Sequence, residues 1–204
     1  TGAGYTVDFV GSLNGGIPND FDKDHEGHSG VSSSFIAANV YDYLVDNPAD
    51  IVLLHIGTND FDEIGFDQAQ SLADVEKILD EIDSYEDDNA TAIWVILARI
   101  INRNCSTNFP VPCLESVETT TFNNNVAAMA QDRIDLDGDK ILIVDMENGA
   151  RIDYPLQSDN PPGDMADNLH PFDSGYKKMA NVWFFALMEI LNPAGSDEGL
   201  SYTP

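Results

Sequence analysis

The sequence predicts an α/β fold built around a parallel β-sheet. Short apolar runs suited to buried strands recur along the 204 residues, and longer stretches with helical spacing separate them. Strands that alternate with helices in this way are typical of doubly wound sheets, in which helices cover both faces. The expected strands are residues 5–10, 50–56, 91–97 and 140–144, and the expected helices are residues 32–45, 67–85, 116–133 and 174–191.

The clearest predicted strand is the apolar run at residues 50–56 (DIVLLHI), which ends at Gly57. Continuous apolar runs of this length are typical of parallel strands that are covered on both faces. His55 lies inside the run, so we interpret it as a core histidine. The three other predicted strands are apolar runs of the same or shorter length.

The helices are predicted from apolar spacing and from start signals. Residues 32–45 follow a serine cluster that can cap a helix. A loop rich in proline and glycine, residues 147–171, precedes the last helix. We expect a single domain over residues 1–192 and a loose tail over residues 193–204. The helical face of residues 67–85 is apolar at Leu72, Val75, Ile78, Leu79 and Ile82.

The charge of the chain limits its partners. There are 36 acidic residues against 9 basic ones, and the formal net charge is -27. Such a surface repels nucleic acid and anionic membranes, which are bound through clusters of lysine and arginine. The spread of aspartate along the chain favours a halophilic protein, because mobile cations screen the self-repulsion. An ordinary acidic secreted protein is the alternative. We expect no membrane span, since no run of 18 apolar residues occurs.

Two cysteines indicate the compartment. Cys105 and Cys113 are close in sequence, with the turn formers Pro110 and Pro112 near the second. This spacing suits a small loop-closing disulfide, which forms in an oxidising environment. Two free thiols are the alternative. Residues 1–4 (TGAG) carry no signal-peptide pattern, so the prediction of a secreted protein depends on the charge and the cysteines.

A polar turn follows the strand predicted at residues 50–56. Gly57 permits a sharp change of direction, and Asn59 then presents a side-chain amide at the mouth of the sheet. An amide in this place can donate to a developing oxyanion. A plain turn rich in glycine, asparagine and aspartate is the alternative.

A second polar motif lies just before the last helix. Asp167 precedes His170 by three residues, so its carboxylate can fold back and accept the Nδ1 proton of the imidazole. That contact would fix the tautomer and leave Nε2 free as a general base. An incidental histidine in a helix-entry turn is the alternative.

Residues 25–30 (HEGHSG) form a third motif, after the first predicted strand. Gly30 opens the approach to the next helix, where backbone N–H groups can bind an anion. A metal cluster here is disfavoured, because the histidines have no second ligand pair at a defined spacing. We likewise interpret residues 135–140 as a polar turn and not as a calcium loop. The metal alternative would use Asp22, Asp24, His25 and His28.

Taken together, the motifs resemble the SGNH (GDSL) hydrolase family, and most closely the acetyl xylan esterases of carbohydrate esterase family 3. The resemblance implies a three-layer doubly wound (flavodoxin-like) sheet and an ester hydrolase without a cofactor. Its substrate would be a small ester or an acetylated carbohydrate, and a homodimer is left open. The matching segments are residues 7–12 (VDFVGS), 24–30 (DHEGHSG), 54–60 (LHIGTND) and 167–171 (DNLHP).

The resemblance also implies roles for four residues. Gly30 would supply a backbone N–H to the oxyanion, and Asn59 its side-chain amide. His170 would be the general base and Asp167 its orienting partner. The chemistry of the family is acyl transfer to a serine, followed by hydrolysis of the acyl-enzyme.

One departure concerns the nucleophile. Family members begin with a strand that ends in Gly-Asp-Ser, whereas no Gly-Asp-Ser occurs in these 204 residues, so we expect the usual first strand to be missing. The chain could be a truncated enzyme, whose missing strand a partner subunit could supply, or an inactive relative with a sugar-binding cleft. Alternatively, residues 7–13 take the vacated place and Ser12 becomes the nucleophile. Ser29 is a weaker candidate, and a simple turn serine is the alternative for Ser12.

Overall fold

The computed structural model describes residues 4–16, 22–62, 67–105 and 113–192. The tail predicted over residues 193–204 lies outside the described residues. The same is true of Pro110 and Pro112, which contributed to the prediction of a loop-closing disulfide.

The described elements alternate between strands and helices, as the sequence predicts. Two short strands come first, and the longer helices each follow a strand of the main sheet or precede the next one. In chain order they are β1 (Leu13–Asn14), β2 (Asp24–His25), α1 (Ser33–Ala37), α2 (Val40–Asp46), β3 (Ile51–Leu54), a short 3-10 turn (Thr58–Asp62), α3 (Gln68–Asn89), β4 (Trp94–Arg99), α4 (Leu114–Leu136), β5 (Ile141–Asp145) and α5 (Asp173–Leu191).

The main sheet is parallel, and its described strands lie in the order β3-β4-β5. Leu54 is opposite Leu97, which in turn is opposite Ile143. Parallel neighbours require a crossover, and α3 and α4 provide the two crossovers here. The predicted α/β fold is therefore confirmed, and so are the strands predicted near residues 50–56, 91–97 and 140–144.

Two hydrophobic clusters cover the two faces of this sheet. Val95 and Leu97 of β4 pack in the cluster that contains α1, α2, α3 and α4. Ile96 and Ala98 point to the opposite face and pack in the cluster that contains Met179 of α5. Successive side chains of a strand alternate between faces, so burial on both sides requires the continuous apolar run seen in β4.

The helix predicted over residues 32–45 is divided into α1 and α2. The break occurs at Ala38 and Asn39, and Asn39 has a non-helical φ of -129°. Its side-chain amide donates to the carbonyl oxygen of Phe35 at 2.7 Å. Such side-chain bonds to the backbone compete with the helical pattern, which accounts for the division.

The strand predicted over residues 5–10 is wrong. Val7, Phe9 and Val10 in this segment are exposed, with Phe9 at 47%. The backbone N–H of Phe9 donates to the carboxylate of Asp22 at 2.8 Å instead of to a strand. The nearest strand is β1, which pairs antiparallel with β2 in a separate two-stranded sheet. An apolar run becomes a strand only when a neighbouring edge binds its backbone, so residues 7–13 do not take the vacated place in the main sheet.

The predicted disulfide between Cys105 and Cys113 is confirmed, with an S–S distance of 2.08 Å. Cys113 is the residue that precedes α4, so the bridge fastens the segment after β4 to the start of this helix. Within the described part of the chain, no helix is long and apolar enough to cross a membrane.

Residues 137–140 form the polar turn between α4 and β5, with Gly138 at a φ of +80°, and the first two residues of the predicted turn (135–140) belong to α4. Arg133 lies before the turn and donates to Asp139 and to Asp80, each at 2.6 Å. It also pairs with Asp83 of α3. The acidic residues near this turn thus hold α3 and α4 together.

Candidate active site

The turn after β3 brings the first functional side chains to the carboxyl end of the sheet. Gly57 has a φ of +121°, a conformation that favours glycine. A Cβ at this position would come within 2.5 Å of the Phe122 ring, so the close packing also requires glycine. Ligands of open α/β sheets bind at this end of the strands, so the turn is placed to form one wall of a ligand-binding site.

Asp60 anchors this turn to the start of α1. It is only 5% exposed, and its carboxylate accepts hydrogen bonds from the backbone N–H of Ser33 at 3.0 Å and from the Ser33 hydroxyl. A buried carboxylate is costly unless such donors satisfy it. No local pattern in the sequence indicates this role of Asp60, because its partner lies 27 residues away.

Asn59 and Gly30, the two candidate oxyanion donors, are neighbours in the structure. The side-chain amide of Asn59 donates to the carbonyl oxygen of Val31, the residue after Gly30, at 3.0 Å. An amide carries two N–H donors, and this bond uses one of them. Gly30 has a φ of +75°, and its surroundings are open, since a Cβ there would meet nothing within 4 Å. We call residues 30–31 and 57–60 the oxyanion half of the site.

Asp167 and His170 form a compact turn, which we call the base half of the site (residues 167–170). The imidazole Nδ1 of His170 lies 2.9 Å from Oδ2 of Asp167. Oδ1 of Asp167 accepts the backbone N–H groups of His170 at 2.7 Å and Leu169 at 2.8 Å. These backbone hydrogen bonds lower the pKa of Asp167 below its usual value. With Nδ1 engaged by an ionised carboxylate, Nε2 is the nitrogen that can accept a proton.

The segment after β4, residues 101–105, contacts both halves of the site. Nη2 of Arg103 donates to the carbonyl oxygen of Thr58 at 2.6 Å. The backbone N–H of Asn104 donates to the carbonyl oxygen of Asn168 at 3.0 Å. Neither residue could be recognised from the sequence, because no local pattern shows which distant turns a segment will contact. We call residues 101–105 the bridge segment.

His55 lies just after β3 and is partly buried, and its ring is satisfied by a hydrogen bond, as predicted. Its Nε2 accepts the backbone N–H of Ile101 at 3.4 Å, which links the end of β3 to the bridge segment. Desolvation by burial lowers the pKa of His55 to about 4. The imidazole is therefore neutral at pH 7, as an acceptor of this bond must be.

A buried carboxylate, that of Glu147, binds the bridge segment through Asn102. Glu147 is 7% exposed and accepts hydrogen bonds from the side chains of Asn102 at 2.9 Å and Asn123 at 3.0 Å. Arg99 supplies the opposite charge at 3.2 Å. The carboxylate is satisfied by an opposite charge and by several hydrogen-bond donors, so this network fixes the position of Asn102.

In the described part of the chain, Ser12 is hydrogen-bonded to Glu26 and not to the base half. Its hydroxyl donates to Oε1 of Glu26 at 2.7 Å, and its backbone N–H donates to Oε2 at 2.7 Å. Glu26 also lies 2.7 Å from Nε2 of His28, whose ring stacks on Tyr43 at 5.0 Å. Burial opposes ionisation of Glu26, but the hydrogen bonds from Ser12 and His28 outweigh it and lower its pKa. Within the described ranges, no hydrogen bond joins Ser12 to His170.

The residues of the metal alternative are engaged in local hydrogen bonds. Asp24 accepts the side-chain amide of Asn14 at 2.6 Å, and Nδ1 of His25 accepts the backbone N–H of Gly27 at 3.1 Å. Among residues that the structure describes, no group of three or more histidine, cysteine, aspartate or glutamate side chains could hold a metal ion.

The sheet, the oxyanion half and the base half define an α/β fold of the SGNH-hydrolase type. A model of the GDSL-like lipase and acylhydrolase family matches residues 21–183 of the chain. The protein therefore belongs to the GDSL-like lipase/acylhydrolase family. No curated protein sequence matches the chain.

Solved structures with similar folds include carbohydrate esterases. A family 3 carbohydrate esterase from Clostridium thermocellum is 27% identical, with 94% of this chain and 82% of that chain covered and a TM-score of 0.69. A family 3 carbohydrate esterase from Talaromyces cellulolyticus is 24% identical, with 93% and 84% covered and a TM-score of 0.72. A serine-to-alanine mutant of an acetyl esterase, determined with an acetate ion, has the same identity, coverage and TM-score as the Talaromyces enzyme. The likenesses at 24% identity concern the fold alone.

Proposed function

We propose that the protein is a serine ester hydrolase that acts on short-chain acyl esters, chiefly acetyl esters of carbohydrates. The observation that carries the proposal is the paired arrangement at the carboxyl end of the sheet. An ionised Asp167 binds Nδ1 of His170, and the bridge segment joins this pair to the turn that holds Asn59. Acyl transfer requires a base with a fixed tautomer and a set of oxyanion donors, and one short segment joins the turns that carry them here.

Each group then has a defined task. Nε2 of His170 takes the proton of a serine hydroxyl as the oxygen attacks the ester carbonyl. The side-chain amide of Asn59 and the backbone N–H of Gly30 donate to the oxyanion that develops. His170 returns the proton to the leaving alcohol, and Asp167 stabilises the imidazolium meanwhile. Water then attacks the acyl-enzyme and gives a proton to Nε2 of His170, which returns it to the serine oxygen as the carboxylic acid is released.

Ser12 is the nucleophile that we propose for this chain. It is exposed, and Glu26 holds its hydroxyl at 2.7 Å. The hydroxyl must therefore exchange Glu26 for His170 before it can attack. Ser29, which adjoins Gly30, is the second candidate.

Two features support a carbohydrate substrate. One is the likeness to the family 3 carbohydrate esterase of Clostridium thermocellum. The other is a pair of exposed aromatic residues at the start of α5, Phe172 at 41% and Tyr176 at 51%. Both residues lie at the start of the helix that follows the base half in the chain. Flat aromatic faces there could stack against a sugar ring.

We also propose that the protein is secreted and tolerant of salt. The disulfide between Cys105 and Cys113 suits an oxidising compartment. A net charge of -27 creates self-repulsion that dissolved salt would screen. Thermal unfolding in dilute buffer and in molar sodium chloride tests the second point. A protein no more stable in salt would contradict it.

The test of the proposed function combines turnover with labelling. We expect the protein to hydrolyse 4-nitrophenyl acetate faster than longer acyl esters, and to react with a fluorophosphonate probe. Peptide mass spectrometry then locates the adduct. An adduct on Ser12 that disappears in His170→Ala supports the mechanism, and an adduct on Ser29 or another serine moves the nucleophile.

The same experiment examines the second candidate function, an inactive relative that binds carbohydrate. The bond between Ser12 and Glu26 favours this candidate, because it keeps the hydroxyl from His170. Calorimetric binding of an acetylated xylo-oligosaccharide, with neither turnover nor adduct in a folded protein, would establish it and exclude the esterase.

A further inference from the structure

The two halves of the candidate active site are joined through two consecutive residues. Arg103 contacts Thr58, the residue before Asn59, and Asn104 contacts Asn168, two residues before His170. We propose that Arg103 is a positioning residue, which holds Asn59 in the orientation needed to act together with His170. This inference rests on the proposed esterase function.

The contact with Thr58 sets the orientation of one peptide group. The carbonyl of Thr58 and the backbone N–H of Asn59 belong to the same planar unit. Nη2 of Arg103 donates to that carbonyl at 2.6 Å, and a hydrogen bond from a charged donor is stronger than one between neutral groups. The side chain of Asn59 is bonded to Val31 at its other end. Asn59 is therefore held from two directions.

Two aromatic rings in contact with each other support the guanidinium of Arg103. Its central carbon lies 5.0 Å from the ring centre of Phe61. Phe61 meets Phe122 edge to face at 5.7 Å, and Phe122 is 1% exposed. The planar guanidinium can stack on a ring and donate in its own plane at the same time, whereas the ammonium of a lysine can only donate as a point charge. The site thus favours arginine specifically.

The bridge segment is itself firmly anchored. The side-chain amide of Asn102 donates to the carbonyl oxygen of Ser116 at 3.2 Å and to Glu147 at 2.9 Å. The hydroxyl oxygen of Tyr154 accepts the backbone N–H of Asn102 at 2.8 Å and donates to the carbonyl oxygen of Glu147 at 3.1 Å. At the other end the disulfide ties Cys105 to the start of α4. The bridge segment is therefore held in place independently of Arg103. A substitution of Arg103 is expected to change the position of Asn59 without unfolding the segment.

The kinetic test compares Arg103→Met, Arg103→Lys and a matched control, Lys140→Met. Lys140 is exposed and precedes β5, so the control removes one positive charge at the opposite end of the sheet. We expect kcat of Arg103→Met to fall by up to about 100-fold, with a smaller change in KM, because a small misplacement of a catalytic group is costly. Arg103→Lys should fall between wild type and Arg103→Met, and Lys140→Met should match wild type.

Two further readouts separate positioning from a loss of stability. The pH profile of kcat/KM should keep its shape in Arg103→Met, because the Asp167–His170 pair is untouched. Guanidinium ion added to Arg103→Ala should restore part of kcat at an unchanged melting temperature. Wild-type kcat in Arg103→Met would overturn the proposal. A fall in kcat that only follows the melting temperature and resists rescue would overturn it as well.

A measurement that needs no turnover keeps this inference separate from the proposed function. In NMR spectra, the resonances of the Asn59 side-chain amide and of the His170 ring should both change their chemical shifts in Arg103→Met. Neither should change in Lys140→Met. If wild type fails to hydrolyse esters, the proposed function fails, and these shifts still decide the role of Arg103. Shifts confined to Phe61 and its neighbours would refute it.

Discussion

The two halves of the candidate active site are built in opposite ways. The base half is a local turn, in which Asp167 binds a histidine three residues later, and the two side chains are 58% and 66% exposed. The oxyanion half is assembled from distant segments. Asn59 binds Val31 across 28 residues, and its neighbour Asp60 binds Ser33, which is fully buried.

This difference separates chemistry from stability. Exposed groups in a local turn contribute little to the free energy of unfolding, so substitutions in the base half should affect activity alone. Buried polar groups that join distant segments contribute to both, so substitutions in the oxyanion half should affect activity and stability together.

The largest effect is expected from His170→Ala, which removes the general base. We expect kcat/KM for 4-nitrophenyl acetate to fall by roughly 10²–10⁴-fold. The melting temperature should stay close to that of wild type, because the imidazole is 66% exposed. Steady-state kinetics and thermal unfolding measure the two quantities. A variant with full activity would remove His170 from the mechanism.

Asn59→Ala should have the next largest effect. Loss of one oxyanion donor lowers kcat by about 10²–10³-fold in a hydrolase where it has been measured. In contrast to His170→Ala, this variant should also be less stable, because the hydrogen bond from the Asn59 side-chain amide to the carbonyl oxygen of Val31 is lost. Kinetics and denaturant unfolding on one preparation test both expectations. A drop in kcat with no loss of stability would mean that the oxyanion half is as independent of the fold as the base half.

Acid should weaken the support of the oxyanion half through His55. The pKa of this imidazole falls from 6.5 to about 4 on folding. Between these values the unfolded chain binds a proton that the folded chain does not, so the free energy of unfolding decreases as the pH falls from 6.5 to 4. The loss is at most about 3 kcal/mol, because the side chain keeps some contact with solvent. Urea unfolding across this range should show it, and His55→Gln should show a flatter profile. Equal slopes in both proteins would exclude His55 as the cause.

The smallest expected effect is the change in stability in a matched pair of aspartate variants, one from each half of the site. Asp60→Asn should destabilise the protein by roughly 1–3 kcal/mol, because a buried carboxylate with two donors from Ser33 is replaced. Asp167→Asn should change stability much less and lower kcat/KM instead, because an asparagine holds the wrong tautomer of His170. The free energy of unfolding of the two variants decides the matter. The reverse order of stabilities would contradict the distinction between the two halves.

The same division separates what the sequence predicts from what it does not. The turn from Asp167 to His170 and the disulfide could be recognised, because each depends on residues that are close in the chain. Asp60 and Arg103 were missed, since their partners lie 27 and 45 residues away. The roles of His170, Asp167, Asn59, Gly30 and Ser12 remain predictions.

The sequence by itself determined the alternation of strands and helices, because helical spacing and apolar runs are local consequences of burial. Only the tertiary structure decided that residues 5–10 form no strand, because strand formation depends on a partner edge. It also decided that the segment after β4 joins the oxyanion half to the base half. Contacts of this kind arise from the packing of the sheet and its helices, and no pattern along the chain contains them.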